Sequence, residues 1–281
     1  MLAACASAAP AELYASSASK PKERASEAAP ATTDQLSTRY AKGDRNFDGM
    51  QLSGAALNGA TLSAASFRGA DLSGADLTGA VLESSDLSEI DLRSAHLDGA
   101  RLSDVALGKA RLDGASLVDT VLWAATLTSA VLDGARLDEA NLQHADLSGA
   151  QLRGASLKHT LLETSVLRGA DLSGANLSGA TLPDADLEGA VLSHANLSQA
   201  DFGRAHLRGA DLSHALLCQT NFQRTDLTNV KLEGARYGKS TLVPSSFDLA
   251  ARGAIEDACC DEKAFETACA WRSPSSVALM P

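Results

Sequence analysis

The feature that most constrains this chain is a five-residue period. Every fifth residue from Phe47 through Leu52, Leu57, Leu62 and Phe67 to Leu232, Tyr237, Leu242 and Phe247 is Leu, Phe or Tyr. Five matches neither the helical period of 3.6 nor the strand period of 2. A register held this long is an internal repeat, which decides the architecture before local propensity is consulted. The residue two before each large one is small, as at Ala55, Ala60 and Ala70, with Ser85, Ile90, Val105, Thr120 and Thr160 among the exceptions. The residue two after is often glycine, as at Gly54, Gly74, Gly99 and Gly114.

These three positions predict a coil. A five-residue unit is too short to pack as a strand of its own, so it forms one side of a larger turn. Four units close a square in which the large residue points inward beside the small one. Glycine or a small polar residue then takes the corner, where a positive φ or tight bend is cheap. Coils stack at strand spacing, roughly 4.8 Å, so about ten of them make a rod on the order of 50 Å long. Phe47 and Phe67 are 20 residues apart, as are Phe202 and Phe222, so four units per coil would stack each pair. With Leu72, Leu132, Leu172 and Phe247 they mark the expected interior. On the outside, Asp186, His206 and Asp226 form one expected column, and Asp184, Arg204 and Arg224 another.

The units "ADLSG" at 70–74, "ANLSG" at 175–179 and "ADLEG" at 185–189 resemble the Ala-(Asp/Asn)-Leu-X-X signature of the pentapeptide-repeat family. The lead-in "RYAKGDRNFDGMQLSGAAL" (39–57) is similar to that of many bacterial members. The resemblance covers residues 46 to about 248 and implies an all-β fold, a right-handed quadrilateral β-helix. The expected organisation is a tether and lead-in at 1–45, the β-helix at 46–248, and a helical C-terminal cap with a tail at 249–281. The family is named for its scaffold, so the resemblance fixes no function.

Charge narrows the partners. The 281 residues carry 35 acidic and 24 basic side chains, a formal net of −11. Of these, 25 acidic and 15 basic lie within 46–250, so the excess anion sits on the rod. Direct nucleic-acid binding is not expected, because phosphate neutralisation needs a basic patch. The most negative of the four sides holds Asp86, Glu89, Asp146, Asp186, Glu188 and Asp226, interrupted by Arg68, Lys109, Arg168 and Arg208. That is not a continuous anionic stripe.

The two ends read differently from the rod. Residues 1–35 are rich in Ala, Ser, Pro, Lys and Glu and cannot bury enough surface to offset their ordering entropy, so they read as a disordered tether. Within it, Leu2-Ala3-Ala4-Cys5 resembles a bacterial lipobox, whose cysteine becomes the acylated N-terminus. No basic and apolar leader precedes Cys5. Either the true start lies upstream of Met1 and the protein is an envelope lipoprotein, or the match is chance and the protein is cytoplasmic. At the other end, Ile255, Ala258, Cys259, Phe265, Ala268 and Cys269 fall at roughly helical spacing, as for a helix capping the open last coil. In family members of the antibiotic-resistance type, C-terminal elements also make a dimer contact, so the resemblance implies a homodimer through this cap. In an oxidising compartment Cys259–Cys269 or Cys260–Cys269 would staple the cap.

Candidate chemistry is sparse. No Ser/His/Asp constellation, Gly-rich phosphate loop or pair of carboxylates in an apolar setting is evident, and no cofactor is implied. The Asp residues before the central Leu occupy a regular outward slot that reads as a solvated face. His194 and His214 are 20 apart and could share a metal, but no third ligand joins their column and no metal site is expected. One side places Val81, Val121, Trp123 and Leu161 close together on the outside, a candidate contact patch. The expected function is a non-enzymatic scaffold making protein–protein contacts, on the membrane only through a lipid anchor at Cys5. The alternative comes from the resemblance: some members are cytosolic mimics of duplex DNA that bind DNA gyrase.

Overall fold

A computed structural model of the protein describes residues 33–261. Its main body is a stack of four-sided coils. Parallel bridges join residues 20 apart, from Asn46↔Ser66 through Asn141↔Leu161 to His206↔Asp226 and Leu216↔Arg236. Each unit uses its backbone twice. Leu72 N–H donates to Asp91 O of the next coil (2.8 Å), and Asp91 N–H donates back to Ala70 O (2.9 Å). Within the unit, Ala75 N–H closes the corner on Leu72 O (3.0 Å). These are bridges rather than long strands because each side ends in a turn before a strand can extend.

The corner residue is left-handed, as the third position of a type II turn requires. Gly74 has φ 63°, and every such corner from Gly49 to Gly234 that carries glycine shows a similar value. Non-glycine residues take the same conformation, among them Lys109 (57°), Thr164 (56°) and Arg204 (65°). Stacking on both sides thus imposes a backbone that an isolated L-residue disfavours.

The interior is a single column of side chains. Phe47, Phe67, Leu72, Leu132, Leu172, Phe202 and Phe222 are all buried. Phe47 stacks on Phe67 with ring centroids 5.1 Å apart, and Phe202 on Phe222 at 5.2 Å. Burying each Leu contributes about 1.5–3 kcal/mol, repeated four times per coil. Where alanine gives way to a hydroxyl residue beside this column, the hydroxyl is satisfied. Thr120 Oγ1 donates to Leu97 O (2.8 Å), Thr160 to Leu137 O (2.7 Å) and Thr220 to Leu197 O (2.8 Å). Such a group can therefore replace alanine without stranding a buried polar atom.

The N-terminal end is closed by helix α1, Thr33–Ala41, so residues 33–35 are helical rather than part of a tether. Asp34 in the first turn and Arg39 in the last suit the helix dipole. Leu36 is buried, Tyr40 packs on Phe47 at 6.5 Å between centroids, and Tyr40 Oη donates to Ser63 O (3.0 Å). Residue spacing hid this helix because it offers only one fully buried side chain.

The C-terminal end departs from the sequence expectation in three ways. First, the register slips: Asn221 bridges Leu242, 21 residues on rather than 20. The unit after Arg236 has six residues, Thr241 takes the inner position with its hydroxyl on Leu217 O (2.7 Å), and Leu242 points out, 44% exposed. Phe247 is only partly buried. Second, the described part of the closing segment is not helical over Ile255. Strand β1, Arg236–Tyr237, pairs in parallel with β2, Ile255–Glu256, flanked by short 3-10 turns at Ala250–Arg252 and Ala258–Asp261. The free carbonyls of the last coil satisfy themselves better against an extended chain than against a helix, which has no spare N–H groups along its side. Third, Cys260 is joined to Cys218, with the two Cα atoms 4.7 Å apart, so Cys260–Cys269 is not the pairing. Cys218 stands on the side of the rod that the closing segment reaches, which sequence spacing cannot reveal. Cys269 lies outside the described residues.

Candidate functional site

The Asp before each central Leu has a structural task. Asp71 Oδ1 accepts the N–H of Ser73 (2.9 Å), Asp91 that of Arg93 (3.1 Å), Asp146 that of Ser148 (2.9 Å) and Asp211 that of Ser213 (3.0 Å). Each carboxylate thus holds the first turn residue of its own corner. Where that slot is Ser or Gln, the neighbouring coil supplies the acceptor. Asp48 takes Arg68 N–H, Asp98 takes Val118 N–H, Asp133 takes Arg153 N–H and Asp138 takes Lys158 N–H, at 2.9–3.0 Å. The Thr78 hydroxyl and N–H hold the Asp76 carboxyl below its ordinary range, the Arg93 guanidinium does so for Asp91, and Thr228 for Asp226. Carboxylates held ionised in turns are poorly suited to general acid–base work.

Ion pairs break up the acidic face. Arg68 reaches Asp86 (3.4 Å) and Glu89 (3.7 Å), and Arg168 reaches Asp186 (2.6 Å) and Glu188 (3.0 Å). On another side Arg153 lies between Asp133 (3.5 Å) and Asp171 (2.6 Å). Arg204 also pairs with Asp184, within the column read from the sequence.

One side is different. The bridges Val81↔Arg101, Arg101↔Val121, Val121↔Asn141 and Asn141↔Leu161 set these residues in a single outward column. Trp123, two residues beyond Val121, is 42% exposed, Leu161 is 37% exposed, and the two valines are half-buried. The Trp123 ring meets His144 edge-on (5.6 Å, 74°), and the His144 Nδ1 lies 2.6 Å from Thr164 Oγ1. Gln143 Nε2 donates to Glu163 (3.0 Å), and Arg101 pairs with Glu83 (2.7 Å). The result is a ridge in which Val81, Val121 and Leu161 alternate with Arg101 and Asn141, the two polar members being occupied by Glu83 and by the Gln143 N–H. Arg101 and His144 were missed in the sequence, although a count of 20 from Val81 and from Ala124 reaches both.

Among the described residues, no cluster of three or more His, Cys, Asp or Glu could hold a metal ion. His194 and His214 stack nearly face to face at 4.9 Å, which aligns the rings rather than converging their nitrogens on one point. Among the described residues, no helix is long and apolar enough to cross a membrane. Cys5 lies outside the described residues.

The family model for pentapeptide repeats matches eight times, in segments that run from residue 46 to 236. The chain belongs to the pentapeptide-repeat family. Pentapeptide-repeat proteins are right-handed quadrilateral β-helices, and they are generally non-catalytic structural or protein-binding proteins. Among solved pentapeptide-repeat structures, HetL, involved in heterocyst differentiation regulation in the cyanobacterium Nostoc sp. strain PCC 7120, is 33% identical. That match covers 73% of this chain and 96% of HetL, with a TM-score of 0.37. The protein alr5209 of Nostoc PCC 7120 is 38% identical over 38% of this chain and 84% of its own, TM-score 0.22. QnrB1, a plasmid-mediated fluoroquinolone resistance protein, is 19% identical over 76% of this chain and 91% of its own, TM-score 0.34. No curated protein matches the chain.

Proposed function

We propose that this pentapeptide-repeat protein is a non-enzymatic scaffold that holds a protein partner against the ridge of Val81, Val121, Trp123 and Leu161. The carrying observation is the exposed Trp123 on the same side as Leu161 and the two valines, while the other exposed large apolar residues, Leu242 and Ile255, lie at the C-terminal end. Exposed aromatic residues of this kind are favoured at interface centres, where the flat ring buries a large area at little entropic cost. The Cys218–Cys260 disulfide supports a location outside the reducing cytosol, and an acylated Cys5 would tether the rod there.

A second reading, the cytosolic gyrase-binding mimic of DNA, draws on the net negative rod. The arginines set among its carboxylates weaken that field. The test is the double variant Trp123→Ser/Leu161→Ser, produced in the native host with Gln151→Ala, on the opposite side, as control. The expected result is an unchanged melting temperature, loss of the partner that co-purifies with the parent, and its retention by the control. A double variant that keeps every partner overturns the ridge. Parent protein found in the cytosol and inhibiting gyrase supercoiling would favour the mimic.

A further inference from the structure

Beyond Leu249, which is buried in the main core, the described chain is held to the rod by little. Strand β2 contributes Ile255 N–H to Ala235 O (2.7 Å), and Asp257 N–H goes to Tyr237 O (2.8 Å). Gly234 N–H donates to Gly253 O (3.0 Å), and Arg236 pairs with Asp257. Within 250–258 only Ala254 is buried, and Ile255 is 57% exposed. A coil of the rod buries four large apolar side chains, whereas this segment buries one methyl group. Two exposed strand residues do not offset the entropy of ordering the segment.

A covalent bond alters that balance. Cys218 and Cys260, 42 residues apart in sequence, are disulfide-bonded. Both are buried, and with Leu216 they form a small apolar cluster separate from the main core. A bond across so long a loop removes much of the freedom of the open form.

We propose that the C-terminal end of the rod closes only when Cys218 and Cys260 are oxidised, so that the closing segment is a latch set by the redox state of the compartment. In closure each thiol gives up its proton and the S–S bond forms. Two electrons pass to an external disulfide, which leaves as two thiols. Once formed, the bond is sheltered by the burial of both sulfurs, since exchange needs an attacking thiolate to reach them. In the reduced chain the segment lifts away, and the carbonyls of Ala235 and Tyr237 become a free sheet edge open to another strand.

The test is hydrogen exchange on the full chain, oxidised, then refolded under a phosphine reductant, and as the variant Cys260→Ala. The reduced and variant proteins should exchange the amides of Ile255 and Asp257 at least about tenfold faster, with amides around Leu132 and Leu172 unchanged. Equal protection in all three forms would overturn the latch, because the segment would then hold without the bond. Loss of protection along the whole rod would also overturn it, making the bond a support of the fold. So would peptide mapping of the oxidised protein that joins Cys260 to a residue other than Cys218.

Discussion

The middle of the rod and its C-terminal end are built from one backbone on different terms. Between about residues 71 and 232 each coil repeats the coil before it. A buried leucine column, a left-handed corner and a carboxylate or its substitute on the turn N–H recur every 20 residues. From Arg236 to Asp261 the pattern breaks: the register slips by one, Leu242 and Ile255 are exposed while Leu249 alone of the large apolar side chains is buried, and a disulfide joins the segment to the rod. A repeat can stabilise itself by nearest-neighbour contact, while an end lacks one neighbour and must recruit something else.

The largest test of this contrast is a charge placed in each region. Leu132→Asp puts a carboxylate in the leucine column and should cost several kcal/mol, unfolding the neighbouring coils. Ile255→Asp, at an exposed site, should leave the melting temperature of the rod unchanged. Equal losses on thermal melting would erase the difference between the regions.

Next is a buried hydroxyl. Thr160→Val keeps the shape but deletes the donor to Leu137 O, which should cost about 1 kcal/mol in denaturant unfolding. A corner gives a smaller effect of opposite sign. Lys109→Gly relieves a left-handed L-residue and should stabilise the rod by about 1 kcal/mol, less the added freedom of glycine in the unfolded chain.

Acid should act on the middle first. The folded carboxyls of Asp76, Asp91 and Asp226 lie below their unfolded values, so their contribution is complete above about pH 4, the unfolded carboxylate range. It is lost as pH falls through the lower folded values. Melting temperature should therefore hold down to about pH 4 and drop below it. A rod equally stable at lower pH would show that these turn bonds carry no net stability. The smallest effect belongs to the exposed ion pairs: Arg153→Ala should leave the melting temperature within error at moderate salt.

The period made the coil and its interior legible, because a five-residue spacing with large, small and corner positions has few physical solutions. The stacking of Phe47 on Phe67 followed from counting 20. The ends were not legible. Helix α1 buries only Leu36, too little for a periodic signal, and the six-residue unit at Arg236 looks regular because Leu242 happens to fall on the old register. The Cys218–Cys260 pairing depends on which side of the rod the closing segment crosses, a tertiary fact. The ridge was half legible: Val81, Val121, Trp123 and Leu161 stand out by type, whereas the neutralising partners around them need the cross-coil geometry.

The most direct measurement for the central claim, that the rod works through one side, is site-specific photocrosslinking in living cells. A photoreactive residue replaces Leu161 in one strain and Gln151 in another. The account predicts one discrete crosslinked protein from position 161 that is absent from position 151 and lost with Trp123→Ser. Equal crosslinking from both positions, or none from 161, would contradict it.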